Sequence, residues 1–305
     1  MRVLLTGATG YVGSYILREL LDQGHTPRCL IRGRARDLAV QNDGVEIATG
    51  DVTRPASLDG TFADCNAVVH LVGIIDERPA HGVTFDRIHV DGTQHVVDAA
   101  RNAGIDCFIH MSANGARPDD GTAYQRTKWT AEQRVSDAGF DHWAIFRPSL
   151  LFGTPDPGRP EFASQLLDDL VRPFPLLPVF GNGRYEMQPV HVTDVAEAFV
   201  QALTRDAAHE ETYVAAGPDR FAYVDVLDRI AIGGGLSPKS KVHIPLPLAR
   251  LGVYTAGRIG LLPISPTQFE MLVEGNTGDE TAFYRDFDVT PTRFTAENLR
   301  YLERM

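Results

Sequence analysis

Tyr124 and Lys128 stand four residues apart in Thr122-Ala123-Tyr124-Gln125-Arg126-Thr127-Lys128. On a helix that spacing puts both side chains on one face. Ala131 and Val135 continue the same face, so it is the buried one. A lysine there is costly unless it has a task, and it is one of three lysines (Lys128, Lys239, Lys241) in a chain that otherwise uses arginine. The pair suits acid–base chemistry. A free tyrosine titrates near 10, an ammonium within a few ångströms lowers that by roughly 1–3 units, and the phenol then serves as a general acid or base. Ser112 ends an apolar strand twelve residues before Tyr124, where its hydroxyl could hydrogen-bond a substrate oxygen. The competing readings are a buried tyrosine beside an exposed lysine, and a serine that merely ends a strand.

A second group of residues could hold an anion. Thr6-Gly7-Ala8-Thr9-Gly10-Tyr11-Val12-Gly13 joins an apolar strand to an amphipathic helix. Gly7 and Gly10 allow a tight turn against a pyrophosphate, Gly13 allows close helix–strand packing, and free N–H groups at the helix start face the phosphates. The second strand ends in Leu30-Ile31-Arg32-Gly33-Arg34-Ala35-Arg36, with no acidic residue before Asp37. NAD-binding proteins of this type place a carboxylate there for the adenosine ribose. A guanidinium binds a 2′-phosphate instead, with paired charged hydrogen bonds. The pattern predicts NADP(H) in preference to NAD(H), read by Arg32 with Arg34 or Arg36 assisting. The alternative is a solvated loop whose arginines balance an acidic surface.

The elements that must position these groups follow from periodicity. Strands are predicted at 2–6, 27–32, 45–48, 67–72, 105–111 and 142–146, and helices at 11–23, 85–103 and 122–138. Thr122 and Gln125 form a capping box that starts the last helix. Alternating strands and helices imply an α/β fold, a doubly wound parallel Rossmann sheet, with a small C-terminal substrate lobe. Residues 188–192 read as a strand returning to that sheet, Asp194 as the cap of the next helix, His191 as part of the returning strand, and 212–216 as one more strand. The predicted division is 1–152 with 188–217 for the dinucleotide-binding domain, and 153–187 with 218–305 for the smaller lobe over the sheet's carboxyl edge. Helices are predicted near 161–170, 223–232, 266–274 and 295–304.

Thr-Gly-x-x-Gly-x-x-Gly resembles the opening of the extended and atypical short-chain dehydrogenases/reductases, the NAD-dependent epimerase/dehydratase-like proteins. The resemblance continues through Gly50-Asp51-Val52, His70-Leu71-Val72-Gly73, Val90-Asp91-Gly92-Thr93, Tyr124-x-x-x-Lys128 and Arg147-Pro148-Ser149. It implies cofactor contacts from Gly7, Thr9, Gly10, Tyr11, Val12, Gly13, Asp51, Val52, Leu71, Gly73, Tyr124 and Lys128. Asp51 would meet the adenine and Gly73 would pass close to a ribose. It also implies a reactive group of Ser112, Tyr124 and Lys128. His89 departs from the asparagine common before Val-x-Gly-Thr, so no role is carried over to it. The short Ser112–Tyr124 connection and Gln188-Pro189-Val190-His191-Val192-Thr193-Asp194-Val195-Ala196 resemble the atypical branch related to an accessory subunit of respiratory complex I. There the cofactor can be structural rather than consumed. Three readings stand: an NADP-dependent oxidoreductase acting on a carbonyl or alcohol, a sugar-nucleotide epimerase or dehydratase with tightly held NAD, and a non-catalytic dinucleotide binder that senses redox state or supports an assembly.

Composition narrows the partners. A net charge of −11 over 305 residues argues against nucleic acid, which needs a basic face. No apolar run approaches the ~20 residues of a membrane span. Met1–Leu5 runs straight into the glycine turn, so no signal peptide is expected. Cys29, Cys65 and Cys107 form no paired spacing; Cys29 and Cys107 read as core residues, and a reducing cytoplasm fits. The histidines show no metal-ligand spacing, so no metal is expected. The expected partner is a small-molecule substrate, apolar or mixed. Residues 244–248 and 259–264, too interrupted by proline for strands, are expected as lobe core, cleft lining or a peripheral membrane contact. Oligomeric state is not legible.

Overall fold

The computed structural model describes residues 1–33, 38, 44–255 and 264–305. One compact unit comprises Met1–Pro148, Val192–Ala215 and Glu280–Thr290. It holds strands β1 (Arg2–Thr6), β2 (Thr26–Ile31), β3 (Glu46–Thr49), β4 (Ala67–His70), β5 (Cys107–Met111) and β6 (His142–Pro148), with helices α1 (Tyr11–Asp22), α2 (Gly92–Asn102) and α3 (Ala123–Ser136) between them. Glu211–Ala215 adds a seventh strand. All pair in parallel, in the spatial order β3, β2, β1, β4, β5, β6 and the seventh strand. This is a doubly wound Rossmann sheet. Its central strands are mostly apolar, broken by His70 and His110, because helices cover both faces. On one face Leu4, Val68, Phe108 and Ile145 pack with Val96 and Val135 of α2 and α3. Strand order reverses between β1 and β4, and ligands of such sheets bind beyond the carboxyl ends at that reversal.

The other unit comprises Ser149–His191, Ala216–Asp279 and Pro291–Met305. Among the described residues it has three two-stranded ladders and a core that includes Phe152, Leu167, Leu177, Leu227, Phe294 and Leu299. Several expectations change here. Residues 188–192 do not rejoin the large sheet: Val190–His191 pairs with Leu151–Phe152 in a ladder of its own. Pro189, which cannot donate to a ladder, and the start of a helix at Val192 leave room for two residues of strand. Asp194 is therefore the third residue of that helix rather than its cap, a buried acid in the first turn. His191 does sit in the short strand, its ring edge-on to Phe152 at 5.0 Å.

The apolar segments also resolve differently. Lys241–Ile244 is a strand, paired in parallel with Leu177–Phe180. Proline ends it, and a helix runs from Leu246 to Thr255. Ile244, Leu246 and Ile264 pack around Phe269, whereas Leu248 is exposed; residues 259–263 lie outside the described residues. The helix expected at 295–304 contracts to a 3₁₀ turn, Arg300–Arg304. No helix among the described residues is long and apolar enough to cross a membrane.

Candidate active site

The loop after β1 has the backbone geometry expected of an anion cradle. Gly7 has φ +76°, a left-handed conformation that favours glycine. Its carbonyl accepts from the Gly10 N–H at 2.9 Å. A Cβ on Gly13 would lie 2.1 Å from the Gly7 oxygen, so α1 could not seat against the loop with any other residue. Gly10 caps α1 without a side-chain hydrogen bond, and no acid lies in the first turn. No acid of its own first turn offsets the helix's positive end, as a phosphate site requires. Thr9 and Gly10 are exposed, and Tyr11 is half-buried while Val12 is buried.

Threonines tie the strand ends together. The Leu71 N–H donates to Thr6 Oγ1 at 3.2 Å, and Thr6 Oγ1 lies 2.7 Å from His70 Nδ1. His70 Nε2 lies 3.2 Å from Thr93 Oγ1 at the start of α2. With the Thr6 hydroxyl donating to Nδ1, the network assigns the ring proton to Nε2. Burial, then the charge of Lys128, lowers His70 to about 3, so the ring is neutral. His110, its neighbour in register on β5, stacks on it at 5.4 Å. Both ring nitrogens of His110 are buried without a hydrogen-bond partner among the described residues.

Arg32, expected to meet the adenosine, follows β2 and is exposed; Arg34 and Arg36 lie outside the described residues. Asp51 Oδ1 accepts from the Thr53 N–H and hydroxyl at 2.9 and 2.8 Å. Partial burial raises its pKa, but those two bonds and the charges of Arg32 and Arg54 outweigh it and hold the carboxyl below its usual range. Arg54, which the sequence pattern did not single out, is thus a second guanidinium near this carboxylate. Val52 is buried, and its carbonyl is 2.7 Å from His95 Nδ1.

The residues expected to do acid–base work lie on α3 and its neighbours. Thr122 caps α3 as expected: its N–H donates to Gln125 Oε1 at 2.8 Å, and its hydroxyl accepts from the Gln125 N–H at 3.3 Å. Thr122→Ala is expected to cost about 1 kcal/mol in chemical denaturation without weakening NADPH binding, because the cap sets only where the helix begins. A loss above about 3 kcal/mol would show that it does more. Tyr124, one residue into the helix, is half-buried. Its ring stands edge-on to Phe85 at 5.7 Å and to His89 at 5.4 Å. Ser112 follows β5; its N–H donates to the Phe146 carbonyl, and its Oγ is buried with no hydrogen-bond partner. The Tyr124 hydroxyl likewise makes no hydrogen bond among the described residues.

Lys128 corrects one expectation. Its ammonium does not bond the phenol; it donates to the Met111 carbonyl at 3.1 Å. Burial pushes Tyr124 up to about 12, so in the ligand-free chain the phenol keeps its proton. Burial, partly offset by the negative charge of Glu132, brings Lys128 down to about 8. A Cβ on Gly73 would lie 2.9 Å from Lys128 Nζ and 3.6 Å from His89 Nε2. The missing side chain at Gly73 makes room for both. Glu132, one turn beyond Lys128 and 2% exposed, receives a double hydrogen bond from Arg147 of β6 at 2.7 and 2.5 Å. Its i+4 spacing from Lys128 was the available signal.

Known proteins match this arrangement. Residues 3–216 fit the model of the NAD dependent epimerase/dehydratase family. Among curated relatives, the ceramide reductase of Caulobacter vibrioides is 30% identical over 258 residues, 84% of this chain and 76% of that protein. The mitochondrial NADH-ubiquinone oxidoreductase 40 kDa subunit of Neurospora crassa is 29% identical over 229 residues. That match covers 73% of this chain and spans 58% of the Neurospora protein's length. Among solved structures, UDP-glucuronic acid 4-epimerase from Bacillus cereus, in complex with UDP-glucuronic acid and NAD, superposes with a TM-score of 0.73 at 18% identity. It covers 100% of this chain and 98% of its own, a likeness of fold.

Proposed function

The chain belongs to the NAD dependent epimerase/dehydratase family, and within it we propose an oxidoreductase that uses NADP(H) on the carbonyl or alcohol of a lipophilic small molecule. The observation that carries this is a buried Ser112 hydroxyl with no hydrogen-bond partner among the described residues, together with Tyr124 one turn before a buried lysine whose ammonium stands beside Gly73. The residues fit a dinucleotide: the uncapped start of α1 would take the pyrophosphate, and Lys128 beside Gly73 would hold ribose hydroxyls. When bound, the dinucleotide supplies or accepts a hydride. The protein works at the oxygen. Ser112 donates a hydrogen bond to it, and Tyr124, kept protonated by burial, gives it a proton. The ceramide reductase relative supports a lipophilic substrate. The test follows NADPH absorbance in a screen of long-chain ketones; saturable binding of a UDP-sugar with no response to ketones would overturn the substrate class.

The cofactor preference rests on Arg32. Charged hydrogen bonds to a phosphate contribute roughly 1.5–3 kcal/mol each. Solvent exposure reduces this, so a preference of about tenfold for NADPH over NADH is expected. Arg32→Ala should bring the two affinities within about twofold. Equal affinities in the wild type would remove the assignment.

One observation favours a second reading, a dinucleotide-binding protein without turnover. Tyr124 is not acidified by Lys128 in the ligand-free chain, and the relatives include a 40 kDa subunit of mitochondrial NADH-ubiquinone oxidoreductase. Binding of NADPH with no turnover of any ketone, unaltered by Tyr124→Phe, would support it.

A further inference from the structure

His89 holds a position to which sequence resemblance assigns no role, and its contacts give it one. It lies in a π-helical segment, Asp86–Asp91, that leads into α2. Such inserted turns cost helical regularity and often re-aim a side chain at a functional site. Here the ring is turned inward and is 1% exposed. Nε2 lies 3.1 Å from both the N–H and the carbonyl of Ile74, the residue after Gly73. Nδ1 lies 3.0 Å from Thr127 Oγ1, the residue before Lys128. The Thr127 hydroxyl is 2.9 Å from the Ala123 carbonyl and 3.0 Å from that of Tyr124. If the hydroxyl donates to a helix carbonyl, it accepts from Nδ1–H, and Nε2 is left to accept from the Ile74 N–H. That assignment closes a chain from the β4 loop through the ring to the first turn of α3. The ring and that of Tyr124 form a T-shaped pair, and Phe85 stacks on the His89 ring at 5.4 Å.

We propose that His89 is a positioning residue of the candidate active site, a neutral clamp between Ile74 and Thr127 that sets where Tyr124 and Lys128 stand. The inference rests on the reading of Tyr124 and Lys128 as the reactive pair. Burial, then the charge of Lys128, keeps His89 neutral, lowered to about 2, so the acceptor face toward Ile74 is retained at any working pH. An asparagine here could bond Ile74, but its shorter side chain would not also reach Thr127. The clamp explains why a histidine is accommodated beside Gly73 and Lys128.

The paucity of lysine supplies a direct readout. With selective 13Cε-lysine labelling, the chain gives three side-chain signals, and Lys128→Met identifies one of them. In the wild type that signal is expected to titrate near 8. In His89→Ala, water reaches the ammonium, and the midpoint should rise by about one unit toward the ordinary value. Thr127→Val removes only the distal anchor and opens no cavity beside the lysine. It should move the midpoint in the same direction, and the double variant should move it no further than His89→Ala alone. A purely structural histidine predicts lost stability with an unmoved lysine. An unchanged midpoint in folded His89→Ala, no effect of Thr127→Val, or additive shifts would overturn the clamp. Should His89→Ala not fold, His89→Asn takes its place, keeping the Ile74 bond and losing Thr127. NADPH titration of the wild type tests the underlying reading separately: failure to bind overturns the dinucleotide site, whereas the lysine signal alone decides the role of His89.

Discussion

Lys128→Met is expected to stabilise the ligand-free protein while abolishing turnover and weakening NADPH binding at least tenfold. Burial lowers the lysine from 10.5 to about 8, a penalty of about 3 kcal/mol for holding the charge in the folded state. Methionine fills similar space without that charge. It leaves the Met111 carbonyl without the lysine's hydrogen bond, which costs about 1–2 kcal/mol, so the net gain is on the order of 1–2 kcal/mol. The sign has a pH signature. Below pH 8 both folded and unfolded chains hold the proton. Between 8 and 10.5 the unfolded chain holds a proton that the folded chain has released, so wild-type stability from this group rises with pH. Denaturation at pH 7 and pH 9.5 should show that rise in the wild type and its loss in Lys128→Met. A variant less stable than the wild type at pH 7, or one that binds NADPH equally well, would contradict the account. Stability given up at a reactive residue is a common trade.

Tyr124→Phe should lower turnover on a ketone substrate by at least 10²-fold, the range for a positioned general acid. NADPH affinity should stay within about twofold. The ring packs against Phe85 and His89, and phenylalanine keeps those contacts. The hydroxyl has no hydrogen bond among the described residues to lose. Stopped-flow NADPH oxidation and a fluorescence titration separate the two quantities. Equal turnover in variant and wild type on a genuine substrate would remove Tyr124 from the chemistry.

The residues nearest the chemistry were the most legible in the sequence. The glycine loop, the capping box at Thr122 and the buried Lys128 each depend on local spacing, and each stands where spacing puts it. What could not be read was tertiary. Whether the ammonium bonds a phenol or a carbonyl depends on where β5 ends relative to α3, and no local pattern encodes that. The two-residue strand at Val190 is as apolar as a strand of the large sheet; its partner is decided by the chain around Pro189. His70 and His110 read as interruptions in apolar strands, and only the register Thr6–His70–His110 brings them together.

The first unit does not end where its first six strands do. Its seventh strand arrives at Glu211–Ala215, and Thr281–Asp286 then supplies Phe283, which with Phe287 packs around Phe146 and Tyr213. Both phenylalanines are buried. On a ribosome, therefore, most of this unit emerges early but cannot complete the aromatic packing around Phe146 and Tyr213 until about residue 290 has been made. Those apolar side chains wait through the synthesis of some 75 residues, the stretch between residues 215 and 290. Such a wait exposes apolar surface to wrong partners. A nascent chain stalled before residue 280 should accordingly be the species that chaperones hold and proteases cut.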